Sequence, residues 1–167
     1  GEIISASLLA IAIEEEGESA VSLTGSQAGM ITDESHMQAR IEQVEGERIL
    51  RHLTKGRVVV ITGFQGVSRQ NEITTLGRGG SDTSAVAFAV GIGAGQCEIL
   101  TDVDGVYTAD PRIVENPQKM PWCSYDEMLE LASLGAKVLH SRSVEIARKF
   151  GIELIVSSSV RETPGTL

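Results

Sequence analysis

The 167-residue sequence has few aromatic side chains, few cysteines and no excess of positive charge. Aromatic residues make up 4% of the chain against 41% for all hydrophobic residues, so the core must be built from Ala, Val, Ile and Leu. Small and branched side chains of this kind suit buried strands and close-packed helices. The formal net charge of -9 comes from scattered acidic residues, which argues against nucleic acid or an anionic membrane as a partner.

Cysteine occurs only as Cys97 and Cys123, and no apolar run has the length of a signal peptide or a membrane helix. This usage predicts a reduced, cytoplasmic protein without a disulfide and without a metal site. The length is sufficient for one hydrophobic core, and the composition does not change along the chain. We therefore expect a single domain over residues 1–167.

Helical and strand patterns alternate along the chain. Apolar periodicity and capping signals predict helices over residues 3–16, 46–55, 83–94, 124–134 and 138–150. β-branched runs predict strands in AVSL, RVVVITGF, CEILTD and IELIVSS, a hairpin over 30–32 and 39–44, and a polar loop over 65–75. This order predicts an α/β fold with an open, mostly parallel sheet and helices on both faces.

Two loops follow the predicted parallel strands, where open α/β sheets bind ligands. The first contains Arg78 between glycines, followed by Ser81 and Asp82 at the start of a buried helix. Glycines allow close backbone approach, and helix N-H groups with a guanidinium can receive a carboxylate or phosphate. A plain turn capped by Asp82 is the alternative, but it leaves Arg78 and the glycines unexplained.

The second loop, TDVDGVYTADPRIVENP, combines turn signals with Tyr107 and Arg112. An aromatic ring and a guanidinium at the end of a strand can hold a base or ribose and a phosphate. A solvated surface loop is the alternative. Its two carboxylates lack the spacing and the distal glutamate of a calcium loop. Lys137 at a later helix start opposes the helix dipole, which indicates either a bound anion or a solvated side chain.

Taken together, GFQGV, TTLGRGGSD, TDVDGVYTADPR and GAKVLHSRSVE resemble the aspartate kinases of the amino-acid kinase superfamily. The resemblance covers nearly the whole chain and implies the amino-acid kinase fold. Aspartate kinases also have an N-terminal Lys-(Phe/Tyr)-Gly-Gly loop and C-terminal ACT domains, neither of which is in this sequence. The resemblance therefore implies a catalytic-domain fragment that is inactive by itself.

The reaction implied by the resemblance is transfer of the ATP γ-phosphoryl group to the β-carboxylate of L-aspartate. It gives 4-phospho-L-aspartate and opens lysine, threonine and methionine biosynthesis. The family pattern assigns catalysis to Asp82 and Lys137. It assigns aspartate binding to Glu2, Phe64, Arg78, Gly79, Gly80 and Ser81, and ATP binding to Thr101, Asp102, Tyr107, Arg112, Lys137 and Val138.

The same resemblance implies Mg²⁺ held through the ATP phosphates and water, with no dedicated protein cage, and a homo-oligomer in the full-length protein. Two alternatives stay open. A kinase for glutamate or N-acetylglutamate would share the fold, although LGRGGSD argues against it. A non-catalytic nucleotide-binding or assembly module would keep the fold without the reaction.

Overall fold

The computed structural model describes residues 1–110, 113–133 and 138–167 and confirms the predicted α/β class. The chain separates into two compact units, Gly1–Gly93 and Ala94–Leu167, and the expectation of one domain stays a prediction. The first unit contains α1 (Glu2–Glu15), β1 (Ala20–Leu23), β2 (Met30–Thr32), β3 (Ile41–Val44), α2 (Glu47–Leu53), β4 (Val58–Ile61), β5 (Gln65–Ser68), β6 (Ile73–Thr75) and α3 (Gly80–Gly91). The second contains β7 (Gln96–Thr101), α4 (Tyr125–Ser133), α5 (Ser141–Phe150) and β8 (Glu153–Ser158).

Three of the strand pairings found among the described residues are parallel. In the first unit β1 pairs with β4 in parallel, and a four-stranded sheet has the order β3-β2-β5-β6 with β2 parallel to β5. In the second unit β7 pairs in parallel with β8, from Gln96 opposite Glu153 to Thr101 opposite Ser158. β7, which precedes the second candidate loop, therefore belongs to a parallel pair, whereas β6, which directly precedes the Arg78 loop, is antiparallel to β5.

The core of the first unit lies between its strands and helices. Its buried members include Leu23, Met30, Ile49, Leu76 and Phe88, and half-buried residues of β1, β3 and β4 pack around them. Phe88 and Leu76 connect α3 and the segment before it to this core. Apolar packing thus holds α3 and the segment before it against the core of the first unit.

The structure corrects two sequence predictions near β4. Residues 65–75 were expected to be a polar loop, but they form the antiparallel hairpin β5-β6, closed by Asn71 at φ 65. The strands were missed because most side chains in this segment are polar, so it lacks the apolar run that usually indicates a strand. β4 is also less buried than predicted, because Val58 is 41% exposed and β1 is its one strand partner within the described residues.

Helix boundaries differ from the predictions by a few residues. α3 begins at Gly80, three residues before the predicted start, since glycines Gly77 and Gly79 supply the turn. α5 begins at Ser141 instead of Val138, because His140 caps it by accepting a hydrogen bond on Nδ1 from the Arg142 amide at 3.3 Å. α1 buries only Ala6 and Ala10 and leaves its large apolar side chains exposed. Among the described residues, no helix is both long and apolar enough to span a bilayer.

Candidate active site

At the start of α3 the main-chain amides are not capped by a side chain. Gly79 precedes the helix in the left-handed conformation, with φ 68, and no side chain caps the first turn. Within the described part of the chain, the amide groups of Ser81 and Asp82 have no hydrogen-bond acceptor. Asp82 lies in the first turn and not at the cap position, so the plain capped-turn alternative does not describe this helix start. These donors can receive an anion.

Gly80, the first residue of α3, has no room for a side chain. A Cβ at this position would lie 2.8 Å from Cδ2 of Phe64 and 2.9 Å from Cβ of Leu76. The Phe64 ring therefore lies directly over the helix start. The structure brings Phe64 together with Gly79, Gly80 and Ser81, which are four of the predicted aspartate-binding residues.

Phe64 is one of three non-glycine residues with positive φ among those the structure describes, at φ 70. Its amide donates to Oγ of Ser84 at 3.1 Å, and its carbonyl accepts from the Leu76 amide at 3.0 Å. The preceding residue, Gly63, also lies against Ser84 Oγ, at 2.9 Å from an added Cβ. The turn after β4 is thus fixed to α3 by main-chain groups and one hydroxyl.

Glu2 lines a cleft of about 410 Å³ in the first unit, together with Thr62 and Gly63 at the end of β4. Gly63 precedes Phe64, so the predicted substrate-side glutamate and the Phe64 turn belong to one region. The side chain of Arg78 is exposed between Gly77 and Gly79, and that of Asp82 is half-buried.

In the second unit the end of β7 carries Thr101 and Asp102. The Thr101 hydroxyl donates to Oδ1 of Asp102 at 3.1 Å. The Thr101 carbonyl accepts from the amide of Ser159 at 2.8 Å and from its hydroxyl at 3.1 Å. These bonds hold the end of β7 to the segment after β8, with the exposed Asp102 side chain beyond it.

A side-chain cluster follows in the same loop. Tyr107 donates its phenol hydrogen to Oδ1 of Asp104 at 2.9 Å, and Nζ of Lys119 lies 3.7 Å from Oδ2. The hydrogen bond from Tyr107 lowers the pKa of the Asp104 carboxyl and raises that of the phenol. Lys119 also donates to the carbonyl of Pro164. The Tyr107 ring is therefore oriented by a charged pair.

Backbone hydrogen bonds join two segments of the loop after β7, for which a solvated surface loop was the alternative interpretation. Tyr107 and Lys119 form an antiparallel bridge, the Thr108 amide donates to the Gln118 carbonyl at 2.9 Å, and the Met120 amide donates to the Val106 carbonyl at 2.8 Å. The structure thus pairs residues 106–108 with 118–120. Arg112 and Lys137 lie outside the described residues, and Val138 is half-buried just before the α5 cap. The ATP-binding roles stay predictions.

Sequence reasoning missed Ser84, Asp104 and Lys119. Ser84 lies inside an apolar helix pattern, where a serine is easily read as a tolerated polar residue. Asp104 was interpreted as a turn residue before Gly105, and Lys119 comes twelve residues after Tyr107. A prediction that the loop folds back on itself as a hairpin would have placed Lys119 opposite Tyr107.

A separate apolar cavity of about 420 Å³ lies in the second unit. Its walls come from α4, α5, β8, the segment before α4 and the C-terminal residues, including Trp122, Met128 and Leu154. None of the described residues predicted to bind ATP lines it. The cavity therefore adds nothing to the candidate site.

The sequence model of the amino acid kinase family matches residues 1–158 of this chain. An aspartate kinase of Pseudomonas fluorescens (strain SBW25) is 53% identical over 167 residues, covering 100% of this chain and 40% of that protein. The crystal structure of E. coli aspartokinase III in complex with aspartate and ADP has a TM-score of 0.91 and 32% identity, covering 99% of this chain and 38% of that one. The aspartate kinase from Synechocystis has a TM-score of 0.80 and 51% identity, covering 98% of this chain and 27% of that one. The chain thus spans about 40% of the length of the curated relatives it matches.

Proposed function

The chain belongs to the amino acid kinase family, and we propose that it is the part of an aspartate kinase that binds L-aspartate and ATP. The observation that carries this proposal is the 53% identity to an aspartate kinase over all 167 residues. The structural likeness to E. coli aspartokinase III, solved with aspartate and ADP, supports it. Phosphoryl transfer from ATP to the aspartate β-carboxylate is the proposed reaction.

The proposed aspartate-binding residues lie in the first unit, at and near the start of α3. Among the described residues the amides of Ser81 and Asp82 have no hydrogen-bond acceptor, and together with the guanidinium of Arg78 they are suited to bind a carboxylate. Phe64 covers this helix start, and Glu2 offers a negative group for the substrate ammonium. Gly79 and Gly80 let the ligand approach the main chain.

The proposed nucleotide-binding residues lie in the second unit, in and around the loop after β7. Tyr107, held by Asp104, offers a ring for the base or ribose, and Thr101 and Asp102 offer oxygen atoms beside it. Arg112, Lys137 and Val138 complete the proposed ATP set. Lys119, which lies beside Asp104, adds a cation to this loop that the sequence prediction did not contain.

Magnesium would accompany ATP and neutralise charge on its phosphates. No cluster of three or more metal-ligating side chains occurs among the residues that the structure describes. An ion held mainly by phosphate oxygens and water, which is usual for Mg²⁺, requires no such cluster. Glu2, Asp82 and Asp102 are the described carboxylates that the family pattern assigns to the proposed site.

Phosphoryl transfer requires little covalent chemistry from the protein. It requires two anions held in line and cations that offset the charge on the transferred group. Arg78 on the carboxylate and Lys137 on the phosphate would supply those charges in a chain whose net charge is -9. Asp82, in the first turn of α3, would organise the cations. We further propose a cytoplasmic homo-oligomeric enzyme whose product enters lysine, threonine and methionine biosynthesis.

A hydroxylamine trap for acyl phosphate tests the proposal. The 167 residues would replace the aligned segment of the Pseudomonas fluorescens aspartate kinase, and the chimera would be assayed with Mg-ATP and aspartate, glutamate or N-acetylglutamate. We expect hydroxamate from aspartate alone, and none from the 167-residue chain by itself. The parent enzyme is the positive control.

Product from glutamate or N-acetylglutamate would replace aspartate with another acidic substrate. Nucleotide binding by the chimera without any hydroxamate would favour the non-catalytic module. The role of Asp82 is tested by Asp82→Asn in the chimera, which we expect to lower kcat about 100-fold. Glu72→Gln, at an exposed carboxylate of the same unit, is the matched control; equal turnover of the two variants would remove Asp82 from catalysis.

A further inference from the structure

The side chain of Ser84 connects the two segments of the proposed aspartate site. Ser84 is 1% exposed, inside the second turn of α3. Its hydroxyl donates to the Ser81 carbonyl at 2.8 Å and accepts from the Phe64 amide at 3.1 Å. One buried group thereby binds the first turn of the helix and the turn after β4.

A serine that donates to a carbonyl three residues earlier is common in helices and has no functional meaning by itself. The bond from Phe64 is different, because its donor lies twenty residues away in sequence. Without the Ser84 oxygen, the Phe64 amide would lose its acceptor in a partly buried turn. A buried donor without a partner destabilises the conformation that contains it.

Phe64 needs this support because its backbone is left-handed, at φ 70, a conformation that side chains with a Cβ disfavour. Two hydrogen bonds hold it there. The bond from the Leu76 amide to the Phe64 carbonyl joins two main-chain groups and is present whatever the side chains are. The bond to Ser84 is the one that a substitution can remove.

The position of Phe64 determines the space above the start of α3. Its ring occupies the volume in which a Gly80 side chain would lie, 2.8 Å from the added Cβ. A displaced ring would change the shape of the pocket over the Ser81 and Asp82 amides. Both hydrogen-bond partners found for the Ser84 hydroxyl among the described residues, Phe64 and Ser81, belong to the first unit.

We propose that Ser84 is a positioning residue for the acidic amino-acid substrate, acting through Phe64 and the first turn of α3. This inference rests on the proposed function, since it assigns a role to Ser84 in aspartate binding. Ser84 is not a catalytic residue in this proposal, because its hydroxyl is consumed by two protein partners. Removal of the Ser84 hydroxyl should weaken binding of the amino-acid substrate and leave binding of the nucleotide unchanged.

Steady-state kinetics of the chimera described above separate the two substrates. We expect Ser84→Ala to raise the KM for aspartate about tenfold, which corresponds to the loss of one buried hydrogen bond, and to leave the KM for ATP within about twofold. Ser84→Thr keeps the hydroxyl and should restore the aspartate KM. The control is Ser143→Ala, because Ser143 is also fully buried and donates to the carbonyl three residues earlier, that of His140, at 2.6 Å.

Amide exchange measured by NMR on the 167-residue chain gives a readout that does not need activity. The Phe64 amide should exchange faster in Ser84→Ala, and not in Ser84→Thr or Ser143→Ala. If Ser84→Ala does not fold, Ser84→Cys, which keeps a weaker acceptor, should show an intermediate increase in aspartate KM and in exchange.

An unchanged aspartate KM with an unchanged Phe64 exchange rate in Ser84→Ala would overturn the proposal, as would equal rises in both KM values. A wild-type chimera that makes no hydroxamate would instead overturn the proposed function. In that case faster Phe64 exchange would still support the positioning of Phe64 by Ser84, and unchanged exchange would refute it.

Discussion

The two compact units hold their candidate residues in different ways. In the first unit the start of α3 has no side-chain cap, and its groups are main-chain amides beside glycines, with the Phe64 ring over Gly80. In the second unit the loop after β7 is held by charged and polar side chains, in which Asp104 binds both Tyr107 and Lys119. α4 in that unit begins with a side-chain cap from Ser124.

This difference decides which substitutions each region tolerates. A main-chain site depends on space, so one added methyl group can disrupt it while a change of charge nearby has little effect. A side-chain site depends on charge and hydrogen bonding, so an isosteric change of one group can alter it without any change of volume. The following substitutions test that contrast.

The largest effect is expected for Gly80→Ala in the first unit. Alanine normally improves a helix over glycine by up to about 1 kcal/mol. Here the new Cβ would lie 2.9 Å from Cβ of Leu76, which is close to the main chain and cannot move away. Overpacking of this kind costs about 1–3 kcal/mol, so the free energy of unfolding should fall. Urea unfolding followed by circular dichroism measures it.

Gly95→Ala is the matched control, because an added Cβ there meets no atom within 4 Å and its φ is not positive. We expect the control to change the free energy of unfolding by less than about 0.5 kcal/mol. A Gly80→Ala variant as stable as the control would show that the helix start has spare volume. The description of the first site as limited by space would then be wrong.

Much of this architecture could be predicted from the sequence. The continuous β-branched runs gave the parallel strands β4 and β7, and the Ser124 and Glu127 signal gave the start of α4. These features depend on neighbours along the chain, which a sequence displays directly. The α/β class follows from the same local patterns.

The features that the sequence did not reveal depend on contacts between distant residues. The β5-β6 hairpin pairs polar residues that carry no strand signal, and Lys119 reaches Asp104 through a hairpin pairing of the loop. The left-handed backbone of Phe64 could not be expected, because it depends on hydrogen bonds to residues distant in sequence, the Ser84 hydroxyl and the Leu76 amide. The roles of Arg112 and Lys137 stay predictions.

The next largest effect is expected for Asp104→Asn in the second unit. The phenol of Tyr107 donates to the Asp104 carboxylate, which raises the phenol pKa above its usual value. Asparagine removes the negative charge at nearly constant volume, so the Tyr107 pKa should fall towards its ordinary value of about 10. An alkaline ultraviolet titration of tyrosinate measures this change.

Tyr125 is the internal control in that titration, since the chain contains only two tyrosines. Its pKa is raised chiefly by burial, and its hydroxyl donates to the Ile152 carbonyl at 2.7 Å. In Asp104→Asn, about half of the absorbance change should occur at a lower pH than in the wild type, from Tyr107, and the other half, from Tyr125, should occur at an unchanged pH. Two unchanged components would show that Asp104 does not control the Tyr107 phenol.

A smaller effect is expected at the α4 cap. Ser124 Oγ accepts from the Glu127 amide at 3.3 Å, and the Glu127 carboxylate accepts from the Ser124 amide and hydroxyl, both at 2.7 Å. Ser124→Ala should lower the free energy of unfolding by about 1 kcal/mol, as for other N-caps. Ser133→Ala, at the other end of α4, should change it by less than about 0.5 kcal/mol.

The cap also predicts a pH dependence. The hydrogen bonds from Ser124 lower the pKa of the Glu127 carboxyl, so the ionised form is stabilised by folding. That stabilisation is complete above the ordinary glutamate pKa of about 4.3 and is lost as the pH falls through the lowered value. The difference in free energy of unfolding between the wild type and Ser124→Ala should therefore become smaller at acidic pH. A constant difference down to pH 2 would contradict the role of the Glu127 charge.

The smallest effect is expected for the ion pair between α4 and α5. Nη1 of Arg148 lies 2.8 Å from Oδ1 of Asp126, shorter than the 3.1 Å bond between Phe64 and Ser84. The side chains of Arg148 and Asp126 are 55% and 72% exposed, however, so water competes for both partners. A double-mutant cycle with Asp126→Asn and Arg148→Gln should give a coupling below about 0.5 kcal/mol that disappears in 1 M salt. A larger, salt-resistant coupling would mean that a short distance determines the strength of this interaction more than solvent exposure does. A small coupling would support the view that burial, and not bond length, makes the hydrogen bond between Phe64 and Ser84 important.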